Sequence, residues 1–285
     1  MKKVLLPTDF SANAWNAISY ALQFYKDEEC RFFFLHTYTP ALYRVDYAIG
    51  GPAQSGIPDI MIDISLSGLQ KTIQDAQVHF PNPKHSYDSL SAFNLLTDEI
   101  NDVVMREDID MILMGTQGAT GAAEVLFGSN TVFVMRKASV PILAIPENSR
   151  HIKIKSIFFP TDFLTFYKRR ELQPLLEIAK KNDAKITVLH IVEKSGLSEN
   201  QKKNRAFLAE CLNDVGHTFK DVGKQRLPNA VNDYINAHDF DMLAMMNRKH
   251  SFLEKLLFRQ NVDSIGFHVK IPFLVLRDTS EVQKQ

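Results

Sequence analysis

The chain is written twice. Lys3–Phe10 (KVLLPTDF) returns as Ser156–Phe163 (SIFFPTDF), 153 residues later. Leu35-His36 closes an apolar run and returns as Leu189-His190, at an offset of 154. Asp110-Met111-Ile112-Leu113-Met114 returns as Asp241-Met242-Leu243-Ala244-Met245, and Val140-Pro141-Ile142-Leu143-Ala144 as Ile271-Pro272-Phe273-Leu274-Val275, both at 131. Four matches in one order define a tandem duplication, and a length of 285 residues agrees with two domains. The copies run 1–147 and 152–279, joined at the polar seam Pro146-Glu147-Asn148-Ser149-Arg150. The offset falls from 154 to 131, so the first copy carries 23 more residues between His36 and Asp110. Tyr38–Ser67, with Gly50-Gly51-Pro52, Gly56 and Pro58, reads as that insertion and as a loop.

Within each copy, strand-like and helix-like stretches alternate. In the first, the apolar runs 2–7, 31–38, 110–115 and 140–145 are continuous rather than alternating, the pattern of strands buried on both faces. A weaker strand near 84–88 completes five. Between them lie helical stretches at 11–26, 63–79, 91–107 and 129–137. In the first of these Ser11 is a candidate N-cap, and Ala14, Ala17, Ile18, Ala21 and Leu22 share a face. Such alternation predicts an α/β fold, here two tandem five-stranded parallel-sheet domains with helices on both faces. Ligands of such sheets bind at the carboxyl ends of the strands. Each copy closes on an apolar run after a proline, Ile142–Ile145 and Phe273–Leu276. Pairing these two would cover both sheet edges, so an intramolecular pseudo-dimer is expected.

Bulk properties exclude several partners. Thirty-three basic residues balance thirty-three acidic ones, which leaves no electrostatic footprint for nucleic acid or an anionic membrane. The runs Lys168-Arg169-Arg170 and Lys202-Lys203 read as solvated helix faces. Cys30 and Cys211, far apart and unpaired in motif, point to a reducing compartment. The start Met1-Lys2-Lys3 leads to an apolar run too short for a leader, and no run approaches the roughly 18–20 residues that span a bilayer. A cytoplasmic protein is expected.

Three features of the first copy fall at predicted strand ends. Pro7-Thr8-Asp9 follows strand one, where Asp9 suits a ribose or an adenine amino group, although Asp9 or Ser11 also reads as a helix cap. His36-Thr37 ends strand two, and the recurrence of His190 favours a structural histidine. The third feature is Gly115-Thr-Gln-Gly118-Ala-Thr-Gly121 leading to Gly128-Ser129-Asn130-Thr131. Gly115 and Gly118 let backbone approach a bulky anion. Gly128-Ser129 opens a helix whose N–H groups suit phosphate, with the Ser129 and Thr131 hydroxyls as further donors. The loop is neither GxxxxGK[ST] nor GxGxxG, and it lacks a phosphate-reaching lysine.

With these landmarks the chain resembles the universal stress proteins, in a tandem form. The ATP-binding subgroup of that family carries G-x-x-G, nine residues, then G-[S/T], read here as Gly115, Gly118 and Gly128-Ser129. Pro7-Thr8-Asp9-Phe10-Ser11, Leu35-His36 and Val140–Leu143 are similar too. The resemblance implies a Rossmann-like, adenine nucleotide α-hydrolase-like fold. It implies that Pro7, Thr8, Asp9 and Thr37 contact adenine and ribose, that Met114 and Gly115 flank the nucleotide, and that Gly118, Gly128, Ser129 and Asn130 surround the phosphates. ATP with Mg²⁺ is the implied ligand, a stress-response sensor or adaptor the implied role, and a homodimer is compatible with it. Asn130 departs from the small or apolar residue usual at its position. The second copy places Met246, Lys249, Arg259 and Gln260 where the first has Gly115, Gly118, Gly128 and Ser129, so it is not expected to bind ATP in this manner. Arg248, Lys249 and Arg259 suit another anion or plain solvent. Two other readings are a slow ATPase or adenylyl-transfer enzyme, and an interaction module that binds no nucleotide.

Overall fold

A computed structural model describes residues 1–38, 57–116, 127–147, 149, 151, 153–164, 166–191, 196–223, 227–247 and 270–279. These fall into two compact units, the first ending at Val140 and the second beginning at Pro141. The first unit holds β1 (Lys2–Pro7), β2 (Cys30–Thr37), β3 (His85–Ala92) and β4 (Met111–Gly115), with α1 (Ala12–Phe24), α2 (Ile57–His79), α3 (Leu96–Glu107) and α4 (Ser129–Lys137). Its strands are parallel in the order β3-β2-β1-β4. The chain thus builds outward from β1 to β3 and then returns to the other side of β1, which puts the switch point between β1 and β4.

The second unit holds β5 (Ile142–Ile145), β6 (Ser156–Thr161), β7 (Lys185–Ile191), β8 (His217–Val222), β9 (Met242–Asn247) and β10 (Phe273–Arg277), with α5 (Arg169–Asn182), α6 (Glu199–Cys211) and α7 (Leu227–Ala237). Strands β6 to β10 repeat the pairing of the first copy: β6 lies between β7 and β9, β8 follows β7, and β10 follows β9, all parallel. β5 pairs antiparallel with β10, Leu143 opposite Leu274. The last strands of the two copies therefore pair with each other, and for that reason β5 falls in the second unit rather than in the copy it closes by sequence.

Every repeated landmark has one structural job, done twice. Asp110 accepts the Lys3 N–H (2.8 Å), and Asp241 accepts those of Lys155 and Ser156 (2.7 and 2.9 Å), tying the entry of β4 and β9 to the start of β1 and β6. At the other end of β1, the Thr8 hydroxyl accepts Phe10 N–H and the Asp9 carboxylate accepts Ser11 N–H, both at 3.0 Å. Thr161 and Asp162 accept Phe163 and Leu164 N–H likewise, at 3.1 and 3.0 Å. These bonds hold Phe10 (φ 62°) and Phe163 (φ 53°) in the left-handed region, which a phenylalanine enters only when its surroundings enforce it. The turn throws each ring over the histidine at the end of the next strand: Phe10 over His36 with centroids 4.4 Å apart, Phe163 over His190 at 5.0 Å. Beyond Phe10, helix α2 passes so close that a Cβ on Gly68 would lie 2.5 Å from its Cζ.

Ser11 caps α1 as expected, accepting Ala14 N–H at 3.2 Å. The Tyr38–Ser67 loop needs correction: residues 57–67 are the first turns of α2. Pro58, read as a loop signal, is the second residue of that helix, where a missing N–H has no intrahelical partner to lose. Residues 39–56 lie outside the described residues. The weak strand near 84–88 runs on to Ala92, and α3 starts at Leu96 rather than 91.

The two turns differ in burial, Phe163 at 0% exposed and Phe10 at 36%. Phe163→Ala is therefore expected to cost about 3–5 kcal/mol, the range for deleting a buried phenylalanine, and Phe10→Ala clearly less. Chemical denaturation of both variants checks the difference.

Candidate functional site

The carboxyl ends of β1, β2 and β4 open onto a cleft of about 400 Å³ beside the switch point. β1 delivers Pro7, Thr8 and Asp9 to it, β2 delivers His36 and Thr37, and β4 delivers Met114 and Gly115. The start of α4 closes the far wall with Gly128, Ser129, Asn130 and Thr131. Nine of the ten residues singled out in the sequence thus line one cavity; the tenth, Gly118, lies outside the described residues. Sequence reasoning missed Ala14 of α1 and Leu96 of α3, which also line it. Ala14 was legible only as a core position, since the same face of α1 packs on the sheet and borders the cleft.

Two short bonds fix α4 against β4. Gly128 N–H donates to the Thr116 carbonyl at 2.7 Å, and the Thr131 hydroxyl donates to the Gly115 carbonyl at 2.9 Å. Thr131 is 2% exposed, so its hydroxyl serves the fold and not, as expected from the sequence, as a donor to ligand. Gly128 caps α4 without a capping side chain, and Arg136 and Lys137 sit in the last turn. The amino end of α4 therefore faces the cleft with its first-turn N–H groups and the positive end of its dipole.

Gly115 has a further reason to be glycine. A Cβ there would lie 2.5 Å from Nδ2 and 2.9 Å from Cγ of Asn13, a buried residue of α1. The missing side chain admits a helix as well as leaving room in the cleft.

His36 is both structural and exposed to the cleft. Its Nδ1 bonds the Ser65 hydroxyl of α2 at 2.8 Å, and Ser65 bonds the Ser91 hydroxyl of β3 at 2.7 Å. Burial pushes the His36 pKa below its ordinary 6.5, against the opposing pull of Asp9. Near neutral pH the ring is therefore uncharged. Among the described residues lining the cleft, Asp9 is the one carboxylate and no lysine or arginine appears.

At the counterpart in the second copy, the end of β6 and the start of α5 carry larger side chains. The buried positions of α5, Glu171, Leu172, Leu175, Leu176, Ile178 and Ala179, repeat the spacing of Asn13, Ala14, Ala17, Ile18, Tyr20 and Ala21 in α1. Leu172 thus stands where Ala14 borders the first cleft. α1 starts two residues after Phe10, whereas α5 starts six after Phe163. The longer connection brings in Tyr167, 2% exposed, whose hydroxyl bonds that of Thr161, the counterpart of Thr8. From α6, Gln201 and Asn204 donate to the carbonyls of Asp162 and Phe163, both at 2.8 Å. Met246 ends buried in β9; Arg248, Lys249, Arg259 and Gln260 lie outside the described residues. The longer connection was visible in the sequence as extra residues between PTDF and the next helical face.

Fold and cleft define a Rossmann-like α/β protein with a ligand-sized cavity at its switch point. Comparison with known proteins narrows this. Residues 96–146 match the model of the universal stress protein family. Two universal stress proteins of Methanocaldococcus jannaschii are 26% identical over 151 residues (51% of this chain, 82% of the relative) and 24% identical over 156 (52% and 96%). A universal stress protein structure from Archaeoglobus fulgidus superposes with a TM-score of 0.69 at 15% identity, covering 96% of this chain and 98% of that one. Sequence match and relatives agree in likening the chain to the universal stress proteins, and the fold is the same. Among the described residues, no helix is long and apolar enough to cross a membrane.

Because the Asn13 side chain is buried and short, Gly115→Ala should destabilise the protein by about 1–3 kcal/mol through overpacking. Adding Asn13→Ala should recover most of that loss. A thermal or denaturant double-mutant cycle reads the coupling; additive losses would mean that the helix does not set this glycine.

Proposed function

We propose that the first unit binds ATP in the cleft at the ends of β1, β2 and β4, and that the protein serves as a stress-response sensor or adaptor. The observation that carries this reading is the convergence of Pro7–Asp9, Thr37, Met114–Gly115 and the amino end of α4 on one cavity. Pro7, Thr8, Asp9 and Thr37 would hold adenine and ribose, with Met114 and Gly115 beside them. The phosphates would meet the N–H groups of Ser129 and Asn130, where helix geometry and dipole favour an anion, with Gly128 leaving room beside them and Gly118 on the same loop. Mg²⁺ would arrive on the phosphate oxygens, its usual mode of binding with a nucleotide; among the described residues no group of three His, Cys, Asp or Glu could hold a metal.

Efficient phosphoryl transfer rests on dense positive charge around the phosphates. The described lining residues supply none beyond the dipole of α4, which favours binding over turnover. The domain limits 1–147 and 152–279 follow the sequence repeat, and Tyr167 and Leu172 support a second copy that takes no ATP.

Calorimetry with ATP and Mg²⁺ should therefore report one site per chain. Ligand at 100 times its Kd adds about 2.7 kcal/mol to native stability, so ATP should raise the Tm. Gly128 has an ordinary φ of −54°, so the backbone accepts Gly128→Arg, and that variant should keep the fold and lose the ATP-induced rise. No heat of binding, two sites per chain, or a variant that still binds would each contradict the assignment.

A further inference from the structure

A second cavity of the first unit, of about 420 Å³, runs between α1 and α2 and shares only Thr8 with the cleft at the switch point. Phe10, Trp15 and Ile18 line it from the turn and α1, and Gly68, Thr72 and Asp75, on one face of α2, line it from across. The cavity exists because α2 meets the turn with little side chain. Gly68 has none, and the Thr72 hydroxyl is folded back onto the Gly68 carbonyl at 2.8 Å. In the second copy α6, which follows β7 as α2 follows β2, instead sends Gln201 and Asn204 to the carbonyls of its turn.

Its lining defines what it can take. The volume lies in the range of small-molecule sites, which are apolar with a few placed polar groups. Phe10 and Trp15 offer ring surfaces, and aromatic partners gain beyond area burial when they stack offset or edge-on. The two full charges, Lys71 and Asp75, belong to each other, with Nζ 2.5 Å from the carboxylate. His79 spends Nδ1 on the Asp75 carbonyl at 2.8 Å. An ion entering the cavity would lose its hydration and find no unpaired opposite charge there. Two donors are still available. Ser11 accepts Ala14 N–H at 3.2 Å, but its own hydrogen has no acceptor among the described residues, nor has the indole N–H of Trp15.

We propose that the cavity between α1 and α2 binds an uncharged aromatic small molecule that carries a hydrogen-bond acceptor, such as an amide or ring carbonyl. The ring packs on Trp15 and Phe10, and the acceptor takes a hydrogen bond from Ser11 or from the indole. The Lys71–Asp75 pair stays at the rim, where the Lys71 side chain is 76% exposed. This site is separate from the nucleotide cleft and does not rest on ATP binding.

Trp15 is the chain's one tryptophan, so a proton–nitrogen NMR spectrum of the full-length protein contains a single indole signal. Titration with 2-naphthamide should shift that signal saturably. The anion 2-naphthoate, the cation 2-naphthylmethylammonium and the non-aromatic cyclohexanecarboxamide should each bind at least about tenfold more weakly, a tenfold ratio being 1.4 kcal/mol. Ala12 lines the cavity from the exposed first position of α1, so Ala12→Phe should keep the fold by circular dichroism and abolish the shift. Gly128→Arg, in the other cleft, should leave it unchanged. No saturable shift, a charged analogue that binds as well as the amide, or an Ala12→Phe variant that folds and still binds would overturn the proposal. So would loss of the shift in Gly128→Arg, which would put the probe in the nucleotide cleft.

Discussion

The carboxyl edge of each sheet is organised by one turn. A threonine hydroxyl and an aspartate carboxylate accept successive backbone N–H groups, and a phenylalanine is held left-handed between them. The strained backbone is offset by what its ring does. In the first copy the ring covers His36 and meets Gly68 of α2, while His36 reaches through Ser65 to Ser91. β1, β2, β3 and α2 are thereby locked together on one side of the switch point. The cleft is what remains open beside that lock. The recurrence of PTDF with a histidine at the next strand end is the sequence trace of this device, and the same bonds form in both copies.

On that shared frame the copies diverge by small means. The first keeps Ala14 and a direct step from turn to helix, which leaves a cavity faced by the amino end of α4. The second lengthens the step and enlarges the helix face to Leu172. Tyr167 then satisfies the threonine hydroxyl internally, and α6 side chains take the turn's carbonyls. The same connection leaves Leu164 and Phe166 exposed.

Much of this was legible in the sequence because it is local or repeated. The duplication marked the two copies and the pairing of their last strands, the apolar runs marked the buried strands, and Ser11 announced its helix. Other features are tertiary and left weaker traces. Gly115 looked like a ligand glycine, but its collision is with Asn13, which lies on a different element and comes close only after folding. Thr131 looked like a donor to phosphate, but its hydroxyl is spent on the Gly115 carbonyl. Pro58 was misread because proline marks both loops and helix starts, and only a partner surface decides which. Tyr167 and Leu172 escaped a count of glycines because they lie ahead of α5 and within it.

We propose opposite roles for the two copies at the same place on one fold, the first taking an adenine nucleotide and the second not. Photolabelling the full-length protein with 8-azido-ATP, followed by peptide mapping, tests this directly. The account predicts label on peptides containing Pro7–Ser11, His36–Thr37 or Gly128–Thr131, competed away by ATP. Competed label on peptides containing Thr161–Leu172 would show that the second site is open and contradict the account.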